Sequence, residues 1–380
     1  MYNRGNIDMI LLYKYQVKNN LMKKFILFLI LPFLISLTYF SFGQTASNDL
    51  LLIEINDKFG YINKSGEIVI EPQFKYANSF SEGLAVISMP DEDEAYGGKY
   101  GYIDSTGTLI ISPKYNTASN FTHGWARVKQ EFGGFIYINK LGKPMMNNTF
   151  FECYNVHNFP IPVRETRKSK AGYIDKKGTY VIEAKFDVAF PFIEGYAVVA
   201  MNQKYGYINL QGVFLIQPKF YRANYFQNGL AKVIIQDEKS GDKREGFINK
   251  KGKYIVPPSF CVGCAKDFSE GLAAVTSDGK KWGFINTNGK IVIAAQFEKA
   301  TIFKEGLAKV KFNGKYGFID KSGNWIIKPK YDNVSNFNNG IASIYQKNER
   351  MGYIDKHEKY IWRAKKPKKK EMEESPYDKY

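Results

Sequence analysis

Residues 205–233 read YGYINLQGVFLIQPKFYRANYFQNGLAKV, and this stretch contains one complete copy of a unit that recurs along the chain. Its opening phrase is aromatic–Gly–aromatic–Ile–Asx, and that phrase or a variant of it appears nine times, with consecutive copies 34 to 41 residues apart. The position of its glycine is occupied in turn by Gly60, Gly101, Ile136, Gly172, Gly206, Gly246, Gly283, Gly317 and Gly352. Self-similarity at a period of this size identifies a repeat protein.

The residues of the unit predict its local structure. Asn209 followed three residues later by Gly212 is typical of a tight turn, in which the Asx side chain caps the backbone and Gly takes the left-handed conformation. Pro218 ends the second strand because proline cannot donate to a sheet ladder. Residues 230–233, Leu-Ala-Lys-Val, predict a third strand. The expected fold class is all-β, with about nine units of about 35 residues and three short antiparallel strands in each.

The repeat resembles the WG-repeat family of bacterial proteins, which is named for a Trp-Gly pair that survives here at Trp282-Gly283. The resemblance covers residues 59–360 and rests on Gly-aromatic-Ile-Asx, Pro-x-Phe and Phe-x-Glu-Gly-Leu-Ala taken together. Most copies place Tyr where the family name implies Trp, and the third copy, residues 135–170, lacks the Glu-Gly phrase and is degenerate. The resemblance implies a β-repeat architecture and no general enzymatic activity.

Units of this size cannot bury their apolar faces alone, so they must stack on their neighbours. Two arrangements satisfy this requirement, an open β-superhelix with two free ends and a closed ring like a propeller. Propeller blades normally have four strands in about 40–45 residues, whereas three strands in about 35 are expected here. The degenerate third copy also suits an open array, because a ring needs every unit. We therefore favour the open superhelix and keep the closed ring as the alternative.

The N-terminal segment predicts export. Residues 25–35 are apolar and follow Lys23-Lys24, and Ser41 and Gly43 suit a signal peptidase cut before Gln44. Residues 1–43 are thus interpreted as a signal region whose true start could be Met22, and an uncleaved inner-membrane anchor is the alternative. A lead-in strand is expected over residues 44–58. Residues 361–380 are basic and are predicted to form a disordered tail.

The net charge of the chain indicates the chemical class of its partner. The chain has 54 Lys+Arg against 37 Asp+Glu, a formal net charge of +17. A basic surface attracts anionic polymers, so the expected partner is a protein or an anionic envelope polymer or glycan. No nucleic acid is expected, because the sequence contains no module that reads DNA or RNA and the chain is predicted to be exported. No stable membrane span is expected after signal cleavage, and the predicted location is the periplasm, the outer surface or the medium.

Three cysteines limit the thiol chemistry. Cys261-Val-Gly-Cys264 coincides with a two-residue insertion in its unit. A redox CxxC would be expected at a helix start in a βαβ unit, and a zinc site would need a second ligand pair that neither Cys153 nor the histidines supply. In an oxidising compartment the pair is predicted to form a local disulfide that braces an enlarged loop, with Cys153 left over and buried.

Two repeated features are candidates for binding. The acids that precede a glycine could form a row of carboxylates, but local turn capping is favoured because His and Asn replace them in other copies; they are Glu82, Glu194, Glu270 and Glu305. The first aromatic of each copy varies most and is our candidate for a ligand-facing row. Those residues are Phe59, Tyr100, Tyr205, Trp282 and Tyr316.

No motif for catalysis, a metal or a cofactor is present, and neither a catalytic residue nor a cofactor is expected. The expected function is that of an exported, non-enzymatic protein that serves as a binding or scaffolding surface in the bacterial envelope. The alternatives are a glycan-active enzyme with paired carboxylates in a groove, and a structural array that self-assembles through its free ends.

Overall fold

The computed structural model describes residues 50–90, 98–156, 158–346 and 349–364, and within these ranges the secondary structure is entirely β. The strands form nine antiparallel meanders of three or four strands each, in chain order. In this part of the chain there is no helix whose length and apolarity would allow it to cross a membrane. The prediction of an all-β repeat fold with about nine units is confirmed.

The nine sheets are numbered here as blades 1 to 9 and are defined by their strands. Blade 1 comprises Leu51–Ile55, Lys58–Ile62 and Ile68–Phe74. Blade 2 comprises Tyr76–Ala77, Leu84–Ser88, Tyr100–Asp104 and Leu109–Tyr115. Blade 3 comprises Thr117–Ala118, Ala126–Lys129 and Phe135–Ile138. Blade 4 comprises Glu152–Cys153, Ile161–Arg164, Ala171–Ile174 and Tyr180–Phe186. Blade 5 comprises Val188–Ile193, Tyr196–Met201, Lys204–Ile208 and Phe214–Phe220. Blade 6 comprises Arg222–Ala223, Leu230–Gln236, Lys243–Asn249 and Tyr254–Phe260. Blade 7 comprises Leu272–Thr276, Trp282–Asn286 and Ile291–Phe297. Blade 8 comprises Lys299–Lys304, Leu307–Phe312, Lys315–Ile319 and Trp325–Tyr331. Blade 9 comprises Asn333–Val334, Ile341–Gln346, Glu349–Asp355 and Tyr360–Arg363.

The strands of a four-stranded blade are called a to d in chain order. By the same register, the three strands of blades 1 and 7 are b to d, and those of blade 3 are a to c. Strand a is short, often only two residues, which is why the sequence indicated three strands per unit rather than four. A single residue separates the end of strand d from the start of strand a in the next blade, as between Phe74 and Tyr76. Residues that directly follow strand a in one blade contact the equivalent segment of the next blade, whereas strands d expose aliphatic side chains such as Ile291, which is 74% exposed. Strand a is therefore the edge of each blade nearest the ring axis.

Each joint between blades is sealed by an aromatic residue of strand c. In five blades this residue is a fully buried tyrosine whose hydroxyl donates to the backbone carbonyl 17 residues later, just past strand a of the next blade. The donors are Tyr61, Tyr102, Tyr137, Tyr173 and Tyr207. The hydrogen bond satisfies a hydroxyl that burial would otherwise penalise, and it ties each blade to the next.

A tyrosine hydroxyl also joins the last blade to the first, although its acceptor here lies in strand b rather than just past strand a. The hydroxyl of Tyr353 in blade 9 donates to the Leu52 carbonyl oxygen in blade 1, and Arg350 Nη1 donates to the same oxygen at 2.8 Å. Ile53 and Ile62 of blade 1 pack with Ile341 and Tyr353 in one buried cluster. The array is therefore a closed ring that reads as a nine-bladed propeller. The ring was the alternative in the sequence analysis, and our preference for an open superhelix is corrected by these contacts.

The degenerate third unit retains a blade but lacks a regular strand d. Blade 3 has three strands, and only the isolated bridges Ile138–Pro144 and Phe135–Phe150 stand where strand d would pair. The ring tolerates the loss because Tyr137 still reaches the Tyr154 carbonyl at 2.6 Å.

The first and last strands of the ring can be compared with the predicted limits of the repeat array. Strand b of blade 1 lies inside the lead-in segment, and strand d of blade 9 extends to Arg363, three residues beyond 360. The predicted signal region, residues 1–43, and residues 365–380 of the predicted tail lie outside the described residues.

Candidate functional site

Two side-chain positions just after strand a line the axis-facing edge of the ring. In blades 2 and 3 they carry small polar residues, and the Asn78 amide donates to Asn120 Oδ1 of the next blade at 3.1 Å. Polar contacts of the same kind join Asn224 to Asp267 at 2.9 Å and Thr301 to Asn336 at 3.1 Å. A ladder of polar side chains thus links neighbouring blades at the inner edge.

Blades 4 to 6 replace this polar ladder with aromatic rings. Tyr154 and Phe190 follow the register of Asn78, and Tyr225 follows that of Asn120. The rings of Tyr154 and Phe190 have centroids 5.9 Å apart, and those of Phe190 and Tyr225 are 6.0 Å apart in an edge-to-face arrangement. The repeat does not require aromatic residues here, because the other blades close their joints without them.

A pocket of about 240 Å³ opens beside this aromatic ladder. It spans four consecutive blades, because strand b of blade 3 supplies Arg127 and the inner edges of blades 4 to 6 supply the rest. Its described lining is Arg127, Tyr154, Asn155, Pro191, Ile193 and Tyr225. We call it the aromatic pocket.

The aromatic pocket combines ring surfaces with hydrogen-bond donors. Arg127 Nη1 donates to the Cys153 carbonyl at 2.5 Å, and its guanidinium carbon lies 4.8 Å from the centre of the Phe135 ring, which fixes the direction of the side chain. Burial, and then the nearby Glu152 carboxylate, raises the pKa of Tyr154 to about 12, and burial also raises the pKa of Tyr225. Both hydroxyls therefore stay protonated at neutral pH and can donate.

The five aromatics predicted to face a ligand lie elsewhere. All five are half-buried at the start of strand c, and none of them is among the described residues that line the aromatic pocket. Phe59 lies 6.5 Å from the ring of Tyr76, Tyr100 lies 5.3 Å from the same ring, and Lys266 lies 5.1 Å from the Trp282 ring. Tyr205 and Tyr316 pack at the margins of buried clusters. Their ligand-facing role stays a prediction.

The acids that precede a glycine hold neighbouring blades together. Each lies at a turn with positive φ, and its carboxylate accepts the N–H of the equivalent glycine in the next blade. The pairs are Glu82–Gly124 at 2.8 Å, Glu194–Gly229 at 3.2 Å, Glu270–Gly306 at 3.0 Å and Glu305–Gly340 at 2.8 Å. Each carboxylate also pairs with a lysine of the next blade, and these lysines are Lys140, Lys250, Lys321 and Lys356. This geometry favours the structural interpretation over a row of free carboxylates.

These contacts predict an acid-sensitive joint. Partial burial by itself would raise the pKa of Glu82, Glu194 and Glu305, but the backbone N–H groups and lysines outweigh it and the net pKa is lowered from the ordinary value of 4.5. Their stabilisation is therefore present above pH 4.5 and is lost as the pH falls through the lower folded-state pKa. We expect the midpoint of urea unfolding to fall on acidification below about pH 4.5, and to fall less in a triple Glu→Gln variant at these positions.

The control for this prediction changes acids of strand d. Glu71→Gln and Glu183→Gln replace exposed carboxylates that make none of these joint contacts. If the triple variant keeps the acid dependence of the control variant, the three joint carboxylates do not stabilise the ring in this way.

Cys261 and Cys264 are joined in a disulfide, with Cα atoms 5.2 Å apart, and Cys153 is a buried free thiol. The buried Glu245 side chain, which is 2% exposed, stabilises the enlarged loop. Its carboxylate accepts hydrogen bonds from the N–H groups of Gly263 and Ala265, each at 3.0 Å. Lys232 Nζ lies 3.7 Å from the same carboxylate. Glu245 replaces an aromatic of the repeat phrase, so two departures from the repeat, the acid and the CxxC loop, form one structural unit.

Within the described residues, no cluster of three or more His, Cys, Asp or Glu side chains is arranged to hold a metal ion. The aromatic pocket has no carboxylic acid among its described lining residues. What the pocket can do chemically is therefore to bind through ring faces and neutral or cationic donors. The sequence analysis missed it, although the signal was available: aligning the residue four positions after the aromatic that ends each strand d, such as Phe74, Phe186 and Phe297, would have placed an aromatic in blade 5 opposite Asn, Ser and Thr elsewhere.

A sequence model described as WG containing repeat matches seven segments of the chain. They are residues 59–89, 100–131, 172–205, 205–239, 246–280, 282–316 and 316–349. The degenerate third copy is the one between the second and third segments. No curated protein sequence matches the chain.

Several solved structures are similar to the ring at low sequence identity. A eukaryotic initiation factor is 10% identical with a TM-score of 0.48, covering 82% of this chain and 91% of that chain. BamB from Moraxella catarrhalis is 12% identical with a TM-score of 0.35, covering 73% and 95% respectively. The computationally designed Ika8 protein is 11% identical with a TM-score of 0.38, covering 74% and 96%. No function is taken from similarities this distant.

Proposed function

The chain belongs to the WG containing repeat family, and on that premise we propose that it is an exported, non-enzymatic binding protein whose ligand docks in the aromatic pocket. The observation that carries the proposal is the local replacement of the polar inner ladder by Tyr154, Phe190 and Tyr225. Residues that depart from a repeat without a structural reason mark the place where function is to be sought.

The chemistry of the aromatic pocket favours a saccharide that carries acidic groups. Ring faces of Tyr154 and Tyr225 suit the apolar face of a sugar, and the Asn155 amide and the Tyr hydroxyls suit its hydroxyl groups. The Arg127 guanidinium suits a carboxylate or phosphate, and the excess of Lys and Arg over Asp and Glu, which persists after removal of residues 1–43, attracts an anionic polymer from a distance. The proposed ligand is therefore an anionic glycan of the bacterial envelope.

The two other functions considered from the sequence find less support. A glycan hydrolase needs two carboxyl groups about 5–10 Å apart across a groove, whereas the repeated acids are engaged in joints between blades. A self-assembling array needs free ends, and the contacts of Tyr353 and Arg350 with Leu52 join the two ends of this one.

The proposal is tested by binding to purified lipopolysaccharide and teichoic acid, measured by isothermal titration calorimetry. Tyr154→Ala combined with Tyr225→Ala is expected to weaken binding at least about tenfold, because each ring provides roughly 1 kcal/mol or more of contact. Tyr254→Ala, which removes a tyrosine of strand d in blade 6 that is 36% exposed, serves as the control and should leave binding unchanged.

Failure of both polymers to bind the unmodified protein would overturn the choice of ligand. Equal binding by the double variant and the control variant would overturn the assignment of the aromatic pocket.

A further inference from the structure

Strand b carries a cation at the same position in three blades. The position lies opposite the strand c aromatic that seals the joint to the next blade, and its occupants are Arg127, Lys232 and Lys309. Each of these side chains donates to a backbone carbonyl oxygen of the next blade, at 2.5, 2.9 and 2.9 Å respectively. The carbonyl satisfies a hydrogen-bond donor, but as a neutral group it does not balance the positive charge.

Blade 6 supplies the balancing charge itself. The carboxylate of Glu245 in strand c lies 3.7 Å from Lys232 Nζ. In blade 8 the residue in the register of Glu245 is Tyr316, since both pair with the last residue of strand d. Lys309 Nζ lies 5.1 Å from the centre of the Tyr316 ring. A ring face attracts a cation but carries no net charge, so blade 8 lacks the compensation that blade 6 has.

Blade 8 adds two further lysines beside Lys309, and we call the three residues the lysine cluster. Lys299 of strand a pairs directly opposite Lys311 of strand b, and Lys311 Nζ lies 5.7 Å from the centre of the same Tyr316 ring. Like charges directly opposite each other destabilise an antiparallel pair. Burial, and then the charge of Lys299, lowers the pKa of Lys309. The cluster therefore opposes its own full protonation and the pairing of its strands.

The acids that flank blade 8 are engaged elsewhere. Glu298, which directly precedes strand a, accepts the N–H of Gly314 at 3.0 Å. Asp332, which directly follows strand d, pairs with Lys315 at 2.5 Å. Within the part of the chain that the structure describes, no carboxylate forms an ion pair with the lysine cluster. Its positive charge is thus available to an anion from solution.

We propose that the lysine cluster is an anion site that binds closely spaced phosphate groups, which take in blade 8 the place that the Glu245 carboxylate has in blade 6. Lysine ammonium groups are compact point charges that suit phosphate oxygens, and three of them suit a diphosphate better than a single carboxylate. Lys299 is exposed and Lys311 is half-buried, so an anion reaches the cluster from solvent.

The lysine cluster is independent of the glycan proposal. It shares no residue with the described lining of the aromatic pocket, which lies on blades 3 to 6. An anion explains why the repulsion is kept, because residues that serve binding are often retained at a cost in stability.

The test is isothermal titration calorimetry of the full chain with sodium pyrophosphate at low ionic strength. Lys299→Gln combined with Lys311→Gln is expected to weaken binding at least about tenfold, because two charge-assisted hydrogen bonds are lost. The control is Lys253→Gln combined with Lys290→Gln, which removes two exposed lysines from turns between strands c and d and leaves the same net charge. The control variant should bind pyrophosphate as the unmodified protein does.

Urea unfolding separates a binding role from a structural one. Without an anion, the cluster variant should unfold at a midpoint no lower than that of the control variant, because the repulsion between Lys299 and Lys311 is gone. Pyrophosphate should raise the midpoint of the unmodified protein and of the control variant, and should raise that of the cluster variant much less.

The source of the phosphate is identified by titrating teichoic acid alongside pyrophosphate. Tighter binding of teichoic acid, lost in the cluster variant, assigns the site to polymer phosphates, and tighter binding of pyrophosphate assigns it to the free anion. Tyr154→Ala combined with Tyr225→Ala should leave pyrophosphate binding unchanged. Since pyrophosphate contains no sugar, failure here and failure of the glycan proposal are distinguishable.

Four outcomes would overturn the inference. The unmodified protein could fail to bind pyrophosphate and teichoic acid, the cluster and control variants could bind equally, or the cluster variant could unfold at a lower midpoint than the control. The fourth is stronger pyrophosphate binding after the acids of residues 91–94 and 371–374 are changed to their amides in the full chain. That result would mean that the chain's own carboxylates fill the lysine cluster.

Discussion

Gly206→Ala is expected to destabilise the protein by about 3 kcal/mol or more. The added methyl group would clash with backbone atoms, which cannot move aside as a flexible side chain can. A Cβ at this position would lie 2.5 Å from the Ile216 carbonyl oxygen and 2.7 Å from the Pro218 nitrogen, both backbone atoms of strand d. The register of strands c and d shifts at this point, between Tyr205 and Tyr207, and the shift brings the two backbones together. The measurement is the midpoint of urea unfolding.

The control is another glycine of the same unit. Gly229 has φ of 77° but open space around a built Cβ, so Gly229→Ala should cost only about 1–2 kcal/mol through the left-handed backbone. Equal destabilisation by the two substitutions would show that close backbone approach is not why the repeat phrase contains glycine.

The degenerate unit explains when that glycine is dispensable. Ile136 occupies the position in blade 3, where the strand d that would crowd it is replaced by two isolated bridges. The isoleucine in place of glycine and the absence of a regular strand d are therefore structurally linked, and the sequence shows them only as an irregular copy. The turn chemistry and the number of units could be predicted because they depend on residues a few positions apart.

Ring closure could not be predicted in the same way. The joint between blades 9 and 1 also uses a tyrosine hydroxyl bond, but its acceptor is the Leu52 carbonyl of strand b, 301 residues away, rather than a carbonyl just past strand a, 17 residues away. Local periodicity carries no information about whether the small rotation from unit to unit returns the chain to its start. Two-residue strands such as Tyr76–Ala77 are also too short to show a period of two, which lowered the strand count and favoured the open form.

The aromatic pocket was missed for a different reason. We looked for function at the most variable aromatic position, which begins strand c, whereas Tyr154, Phe190 and Tyr225 stand out only by their register relative to strand b. That register places them on the axis-facing edge, where neighbouring blades approach most closely. A residue-by-residue comparison of the units would detect this replacement, and the ring geometry is what brings the three aromatics into contact beside one pocket, which Tyr154 and Tyr225 line.

The closed ring gives the second large effect, at Ile53. Its side chain is 0% exposed and packs with Ile62, Ile341 and Tyr353 across the joint between blades 1 and 9. Ile53→Ala is expected to cost about 2–5 kcal/mol, because it leaves a cavity where the ring closes. Ile87, in the same register of blade 2 and also 0% exposed, is the matched internal position.

The two substitutions separate a ring from an open array. In a ring both positions lie at a joint, so Ile53→Ala and Ile87→Ala should lower the midpoint of urea unfolding by similar amounts. Ile53→Ala should in addition raise hydrogen exchange in strands b of blades 1 and 9 together, because both blades lose the same contact. In an open array Ile53 would belong to a terminal unit with one neighbour, and its substitution would cost much less than that of Ile87. A small effect at Ile53 with a large effect at Ile87 would therefore contradict closure through this joint.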